Sequence, residues 1–297
     1  MESWTDLFLE YMISERNDSP STVESYGHDI REFQAFLESL YSNVDWAKVR
    51  TEDVREWIIY LLDKRKIQPS SVNVKLSALR SFYRYLRLTK LVAINPMEKI
   101  ESLKTQRPLP CFVRESEMDR LLDMTLEDRS FNGIRDRLVI MMFYETGVRR
   151  SELLGMKDED VDTAAMQVKV TGKRNKQRII PFGNELKDEI EAYLQSRESE
   201  IGQREAPAFF MTDKGTPLTN SQLGMIVKEN LSKVTTIKKR SPHVLRHSFA
   251  TAMLNNKADL TSIQKLLGHE SVATTEIYTH VSFEELKNEY KNAHPRK

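Results

Sequence analysis

The chain has 297 residues, 39% of them hydrophobic, enough to bury one large core or two medium ones and to exclude a disordered or low-complexity polymer. Its single cysteine, Cys111, excludes an internal disulfide framework, and its longest nearly apolar run, LVIMMFY at residues 138–144, is far short of the roughly 20 residues that cross a bilayer. Lys and Arg (45) balance Asp and Glu (44) to a net charge of +1, so the chain is neither uniformly basic nor uniformly acidic, and the distribution of charge carries the information.

The opening MESWTDLFLEYMISER is acidic and amphipathic, without the basic flank and apolar centre of a secretory signal, so a reducing, cytoplasmic location is expected. Trp4, Leu7, Phe8, Tyr11 and Met12 recur at helical spacing. Ser19-Pro20 or Ser21 opens a second helix carrying Tyr26, Ile30, Phe33, Phe36 and Leu37. Thr51 is the expected cap of a third helix with Val54, Trp57, Ile58, Leu61 and Leu62, and Ser70 or Ser71 opens a fourth with Val72, Leu76, Leu79, Phe82, Tyr83 and Leu86. These stripes predict a helical bundle with an aromatic core. Acids dominate residues 1–61, whereas bases dominate residues 62–107, which suits a polyanion surface or, equally, solvated faces balancing the acidic segment. On the polar side of the fourth helix, Ser70, Ser71, Asn73, Lys75, Arg80 and Arg84 are side chains of the kind that reach phosphates and base edges.

Asn95-Pro96 stops the bundle, and KTQRPLPC at residues 104–111 has the composition of a linker. The boundary is placed near Arg107, giving domains 1–107 and 108–297. The second is expected to be mostly helical around a small antiparallel sheet: MQVKV at residues 166–170 alternates with period two, GKRNK turns, and RIIPF returns. The tip of this hairpin is basic, with Lys173, Arg174 and Lys176. Helices are predicted over 185–199, 220–234 and 242–255.

In SPHVLRHSFAT, residues 241–251, Ser241 is a favourable N-cap and Pro242 suits the first helical position. His243, Arg246 and His247 then share one face near a helix N-terminus that favours anions. Two histidines at i and i+4 are the geometry of a zinc site, but Val244 stands where such motifs carry glutamate, and the Arg246 cation opposes a divalent ion. A polar helix end satisfying buried groups is the plain alternative. A second arginine lies in ETGVRRSELLGM, where Gly147 interrupts one helix before another begins. Two guanidinium forks converging from separate segments would neutralise a phosphate and the added charge of its transition state. Lys173 would supply a proton to a leaving oxygen. Tyr278, in a helix begun near Ser271, is a nucleophile or a core tyrosine, and spacing alone does not choose.

Taken in order, TGVRRSEL, GKRNKQRIIPFG, HVLRHSFAT and LLGHESVATTEIYTHV resemble the tyrosine recombinases, the phage integrase family, and within it most resemble the bacterial Xer group. The resemblance spans the chain. It implies a SAM-like core-binding bundle followed by a catalytic domain. It further implies that Arg149, Lys173, His243, Arg246 and His269 are catalytic, that Tyr278 is the nucleophile, and that Arg150 stands at a position commonly aliphatic. The implied reaction needs no metal or other cofactor: Tyr278 attacks a DNA phosphodiester, leaving a 3′-phosphotyrosyl bond and a 5′-hydroxyl that a second strand's 5′-hydroxyl replaces. The implied partners are double-stranded DNA at a specific site, gripped in a C-shaped clamp, and a homotetramer or a heterotetramer with a second recombinase. A septal DNA translocase is a further implied partner, and none is a membrane. Phe283, Leu286 and Tyr290 in the tail are expected to dock on a neighbouring protomer. Resolution of chromosome dimers is the expected role, favoured by two domains without an added arm-binding domain and by the HPRK ending. A mobile-element integrase or excisionase, a type IB topoisomerase-like relaxing enzyme and a catalytically silent DNA-binding protein are the alternatives.

Overall fold

A computed structural model describes residues 3–105, 111–172, 176–202, 207–268, 290 and 292–295. The chain divides into two compact units, Met1–Pro108 and Leu109–Lys297.

The first unit is helical throughout its regular structure: α1 (Trp4–Ser14), α2 (Pro20–Leu40), α3 (Thr51–Ile59) and α4 (Pro69–Leu88). Phe8, Phe33, Trp57, Leu79 and Phe82 are fully buried where the predicted stripes meet, each contributing about 1.5–3 kcal/mol by leaving water. The rings interlock rather than stack flat, as between Phe8 and Phe82 (5.4 Å, edge-on) and between Phe33 and Trp57 (4.8 Å, tilted). Two helix starts differ from expectation. Thr51 is the first residue of α3 rather than its cap: its hydroxyl donates to the Pro96 carbonyl (3.0 Å), and the Asp53 carboxylate accepts from the Arg50 N–H instead (2.8 Å). α4 begins at Pro69, whose fixed φ suits the first turn, one or two residues before the expected serines. Past α4, Val92, Met97 and Ile100 remain buried, so the chain after Asn95-Pro96 stays in the core although it is no longer helical.

The second unit is built around α6 (Phe131–Thr146), against which α5 (Glu115–Thr125), α8 (Asn184–Glu200), α9 (Asn220–Ser232) and α10 (Pro242–Asn255) pack. From Leu138 to Thr146 every residue of α6 is buried, as expected of a helix apolar all round. The second unit also contains two shorter α-helices, α7 (Arg150–Leu154) and α11 (Leu260–Leu267). The predicted hairpin forms from β2 (Gln167–Thr171) and β3 (Gln177–Pro181), antiparallel with Val168 opposite Ile180 and Val170 opposite Arg178. A third strand, β1 (Val161–Asp162), pairs with β2. At two residues it is too short to show an alternation.

The C-terminal residues Tyr290 and Ala293 are buried in the core of this same unit, and His294 is buried beside Tyr290. The His294 ring stacks on Tyr290 (5.0 Å) and its Nε2 lies 3.3 Å from the Tyr144 carbonyl. No helix among the described residues is long and apolar enough to cross a membrane.

Candidate active site

The site assembles where the end of α6, the first turns of α10 and the end of α11 meet. α6 ends on Gly147 in the left-handed region (φ 61°), where a Cβ would come within 2.5 Å of the Phe249 ring, so the turn requires glycine. That turn delivers Arg149 to the start of α7, where its N–H donates to Glu152 Oε2 (2.7 Å) and its Nη1 donates to Glu152 Oε1 (2.9 Å). α10 presents Arg246 from its first turns, and α11 ends on a second left-handed glycine, Gly268 (φ 62°).

Three guanidinium groups converge on the carbonyls that end α11. Arg178, from β3, donates Nε to Leu266 O (2.7 Å); Arg246 donates Nη2 to Leu267 O (2.5 Å); Arg149 donates Nη2 to Gly268 O (2.6 Å). Arg246 Nη1 also donates to the Gly147 carbonyl, tying the end of α6 to that of α11. These carbonyls lack partners within their helix and lie at the negative end of its dipole, so they suit cations. Arg178 grips Glu152 with both terminal nitrogens, Nη1 to Oε1 (2.7 Å) and Nη2 to Oε2 (2.8 Å).

The electrostatics follow from this crowding. Burial alone would raise the Glu152 carboxyl, but hydrogen bonds from Arg178 and the Arg149 backbone, with the Arg178 charge, outweigh it and hold the group down at about 2. Arg246 is 8% exposed; its burial, then the Arg149 and Arg178 cations, bring it down to about 10. His243 lies in the first turn of α10 and reaches solvent. Partial desolvation, followed by the cations Arg150, Arg246 and Lys239 and by His247, lowers its imidazole below the ordinary 6.5.

Of the residues expected to be catalytic, the fold brings together Arg149 and Arg246 and sets His243 one turn from Arg246 on α10. Lys173, Arg174, His269 and Tyr278 lie outside the described residues. His247 is exposed, and Ser241 precedes α10 in extended backbone without a side-chain cap bond, so Pro242 rather than the serine hydroxyl starts this helix. Lys176 is exposed, and its carbonyl accepts from the Gly172 N–H (2.8 Å) to close the hairpin.

On α4, Ser70, Ser71 and Arg84 are exposed as expected. Three other residues expected to face a polyanion are engaged inside their unit. Asn73 exchanges two hydrogen bonds with the Leu103 backbone (2.9 and 2.8 Å), Arg80 donates to Ile100 O (3.0 Å), and the Lys75 ammonium sits between Asp29 (2.8 Å) and Glu32. The physical reason is that the chain after α4 folds back along that helix and needs partners for its backbone. Lys75 likewise compensates two acids, one of them buried.

Arg178 and Glu152 were not singled out in the sequence. One faint signal existed: Glu152 follows Arg149 by three residues at a helix start, the spacing of a capping box. Arg178 offered none.

Residues 112–285 match the phage integrase family, and residues 5–90 match the N-terminal SAM-like domain of phage integrase. A tyrosine recombinase XerC of Staphylococcus saprophyticus is 36% identical over 296 residues, spanning 100% of this chain and 98% of that protein. Among solved structures, a XerA recombinase is 28% identical with 99% of each chain covered and a TM-score of 0.50. The Tn1549 transposon integrase, solved with circular intermediate DNA, shares the fold at a TM-score of 0.70, 18% identity and 97% and 99% coverage of this chain and that one.

Proposed function

The chain belongs to the phage integrase family, and on that premise we propose that it is a site-specific recombinase that cuts and rejoins duplex DNA through a phosphotyrosyl intermediate. The observation that carries this reading is the convergence of Arg149 and Arg246, from separate segments, on consecutive carbonyls one and two residues before His269. With Arg178 they set three guanidiniums against one carboxylate, leaving two net positive charges. That matches the two negative charges of a five-coordinate phosphorane formed from a diester, the species such a site must favour over its ground state.

Each residue type has its own part in the steps. The Tyr278 oxygen attacks phosphorus and forms the O–P bond; the P–O5′ bond breaks, and Lys173 donates a proton to the departing oxygen. His243, held neutral, accepts the phenol proton. Arg149 and Arg246 bind the nonbridging oxygens, and His269 donates to one of them. Attack by a second strand's 5′-hydroxyl reverses the step and restores Tyr278, so the energy of the diester bond is kept and no nucleotide cofactor is consumed. The charge that a metal ion would otherwise supply comes from the guanidiniums. Duplex DNA is the substrate, contacted from α4 by Ser70, Ser71 and Arg84 and from the hairpin by Arg174 and Lys176. Two DNA sites are held by a tetramer, and the cellular role is resolution of chromosome dimers. In such an assembly, a tail that docks on a neighbour first leaves the core now holding Tyr290 and Ala293.

A suicide duplex incubated in EDTA is expected to yield a covalent protein–DNA complex that Tyr278→Phe abolishes. An undiminished complex in that variant, or one that needs a divalent ion, overturns the proposal. Footprinting across the native genome tests the cellular role, since protection confined to a mobile element would remove the chromosomal function while leaving the chemistry.

A further inference from the structure

Glu152 poses a problem for the site just described. A carboxylate hydrogen-bonded to Arg149 offsets the positive charge that Arg149 is to offer a phosphate, and at about 2 its carboxyl stays ionised at any physiological pH. Arg178 resolves it. Its fork is opposed to the carboxylate at both oxygens, whereas Arg149 reaches Glu152 Oε1 with one nitrogen and keeps Nη2 for Gly268 O. The bidentate partner takes the larger share of the negative charge. We infer that Arg178 is a positioning residue that neutralises Glu152, so reserving the charge of Arg149 for the phosphate, and that ties β3 to the end of α11.

The geometry supports both halves. Arg178 is the only described side chain that bonds both Glu152 and the α11 terminus from the β2–β3 hairpin, the element that carries Lys173. Its side chain is 15% exposed and Glu152's is 1%, so water supplies little substitute. Gly268 leaves room for this arrangement, since a Cβ there would lie 3.1 Å from Arg178 Nη1 and 3.3 Å from Arg149 Nη1. Lysine cannot replace this residue, because a single ammonium cannot meet two carboxylate oxygens and the Leu266 carbonyl in one planar fork.

The charge-reserving role rests on the recombinase reading; the tie to α11 does not, and two assays on the full-length protein separate them. The first uses no DNA. In R178K and R178Q, amide hydrogen exchange across residues 260–268 is expected to quicken by about tenfold or more, with the thermal midpoint lowered by only a few degrees. Unchanged exchange overturns the tie. The second follows single-turnover covalent complex formation on a suicide duplex. R178Q is expected to slow this step by about tenfold or more with duplex affinity within about twofold of wild type. The double variant E152Q/R178Q is expected to react faster than R178Q, because the introduced side-chain amide still accepts from the Arg149 N–H but no longer draws on the Arg149 charge. A purely structural role gives no such recovery. A wild-type rate in R178Q, or a double variant no faster than R178Q, overturns the charge-reserving role. A wild-type protein that forms no Tyr278-dependent complex overturns the recombinase reading and this role with it, while the exchange assay still decides the tie.

Discussion

At the scale of single residues, His243 shows how the site sets its own chemistry. In the proposed reaction a phenol with a pKa near 10 gives its proton to His243, whose own pKa is lowered by partial desolvation first and then by Arg150, Arg246, Lys239 and His247. The rate of covalent complex formation should therefore fall as pH drops through the His243 pKa, which lies below 6.5. Replacing Arg150 with alanine removes one repelling cation and lets that pKa rise toward 6.5. The acidic limb of the pH–rate profile should move to higher pH while the plateau holds, and a limb that stays or moves the other way contradicts the assignment. In the sequence, Arg150 is marked only by standing at a position that the resemblance implies is commonly aliphatic. Its effect on His243 arises because the starts of α7 and α10 lie close in space, although 93 residues separate the two in the chain.

At the scale of elements, helix existence followed from apolar spacing, whereas the chemistry of the ends did not. Thr51 and Ser241 have cap-type side chains, yet neither caps: the Thr51 hydroxyl is drawn to Pro96, and Ser241 makes no cap bond. The work at α3 falls to Asp53, which is 3% exposed and also accepts from the Tyr41 hydroxyl (2.7 Å). Asp53→Ala removes both bonds and should lower stability by about 1–2 kcal/mol, read as a shift in the urea midpoint at constant slope. Thr51→Ala should cost less, because it deletes one half-buried hydroxyl and leaves the α3 start intact. Which side chain caps depends on where the preceding loop comes from. For α3 its first residue is drawn to the Pro96 carbonyl, a tertiary relation that local propensity does not encode.

At the scale of the whole molecule, a net charge of +1 means that affinity for a polyanion must come from local surfaces. Folding redistributes those surfaces. Arg84 remains exposed, whereas Lys75 is neutralised by Asp29 and Glu32. Plotted as log affinity against log salt, DNA binding by Arg84→Ala should show a slope about one unit shallower than wild type. Lys75→Ala should leave the slope unchanged, and equal effects from both would contradict this division. The amino-acid sequence by itself determined the two helical regions, the hairpin and the order of the motifs containing Arg149, His243 and Arg246, because apolar periodicity and motif spacing are local properties of a chain. Only the tertiary structure decided that Asn73, Lys75 and Arg80 are bound internally, and that Arg178 and Glu152 belong to the site. Those outcomes depend on which charges become neighbours once residues far apart in sequence are packed together, where the low dielectric and the carbonyls ending α11, which take their donors from Arg178, Arg246 and Arg149, make each pairing count.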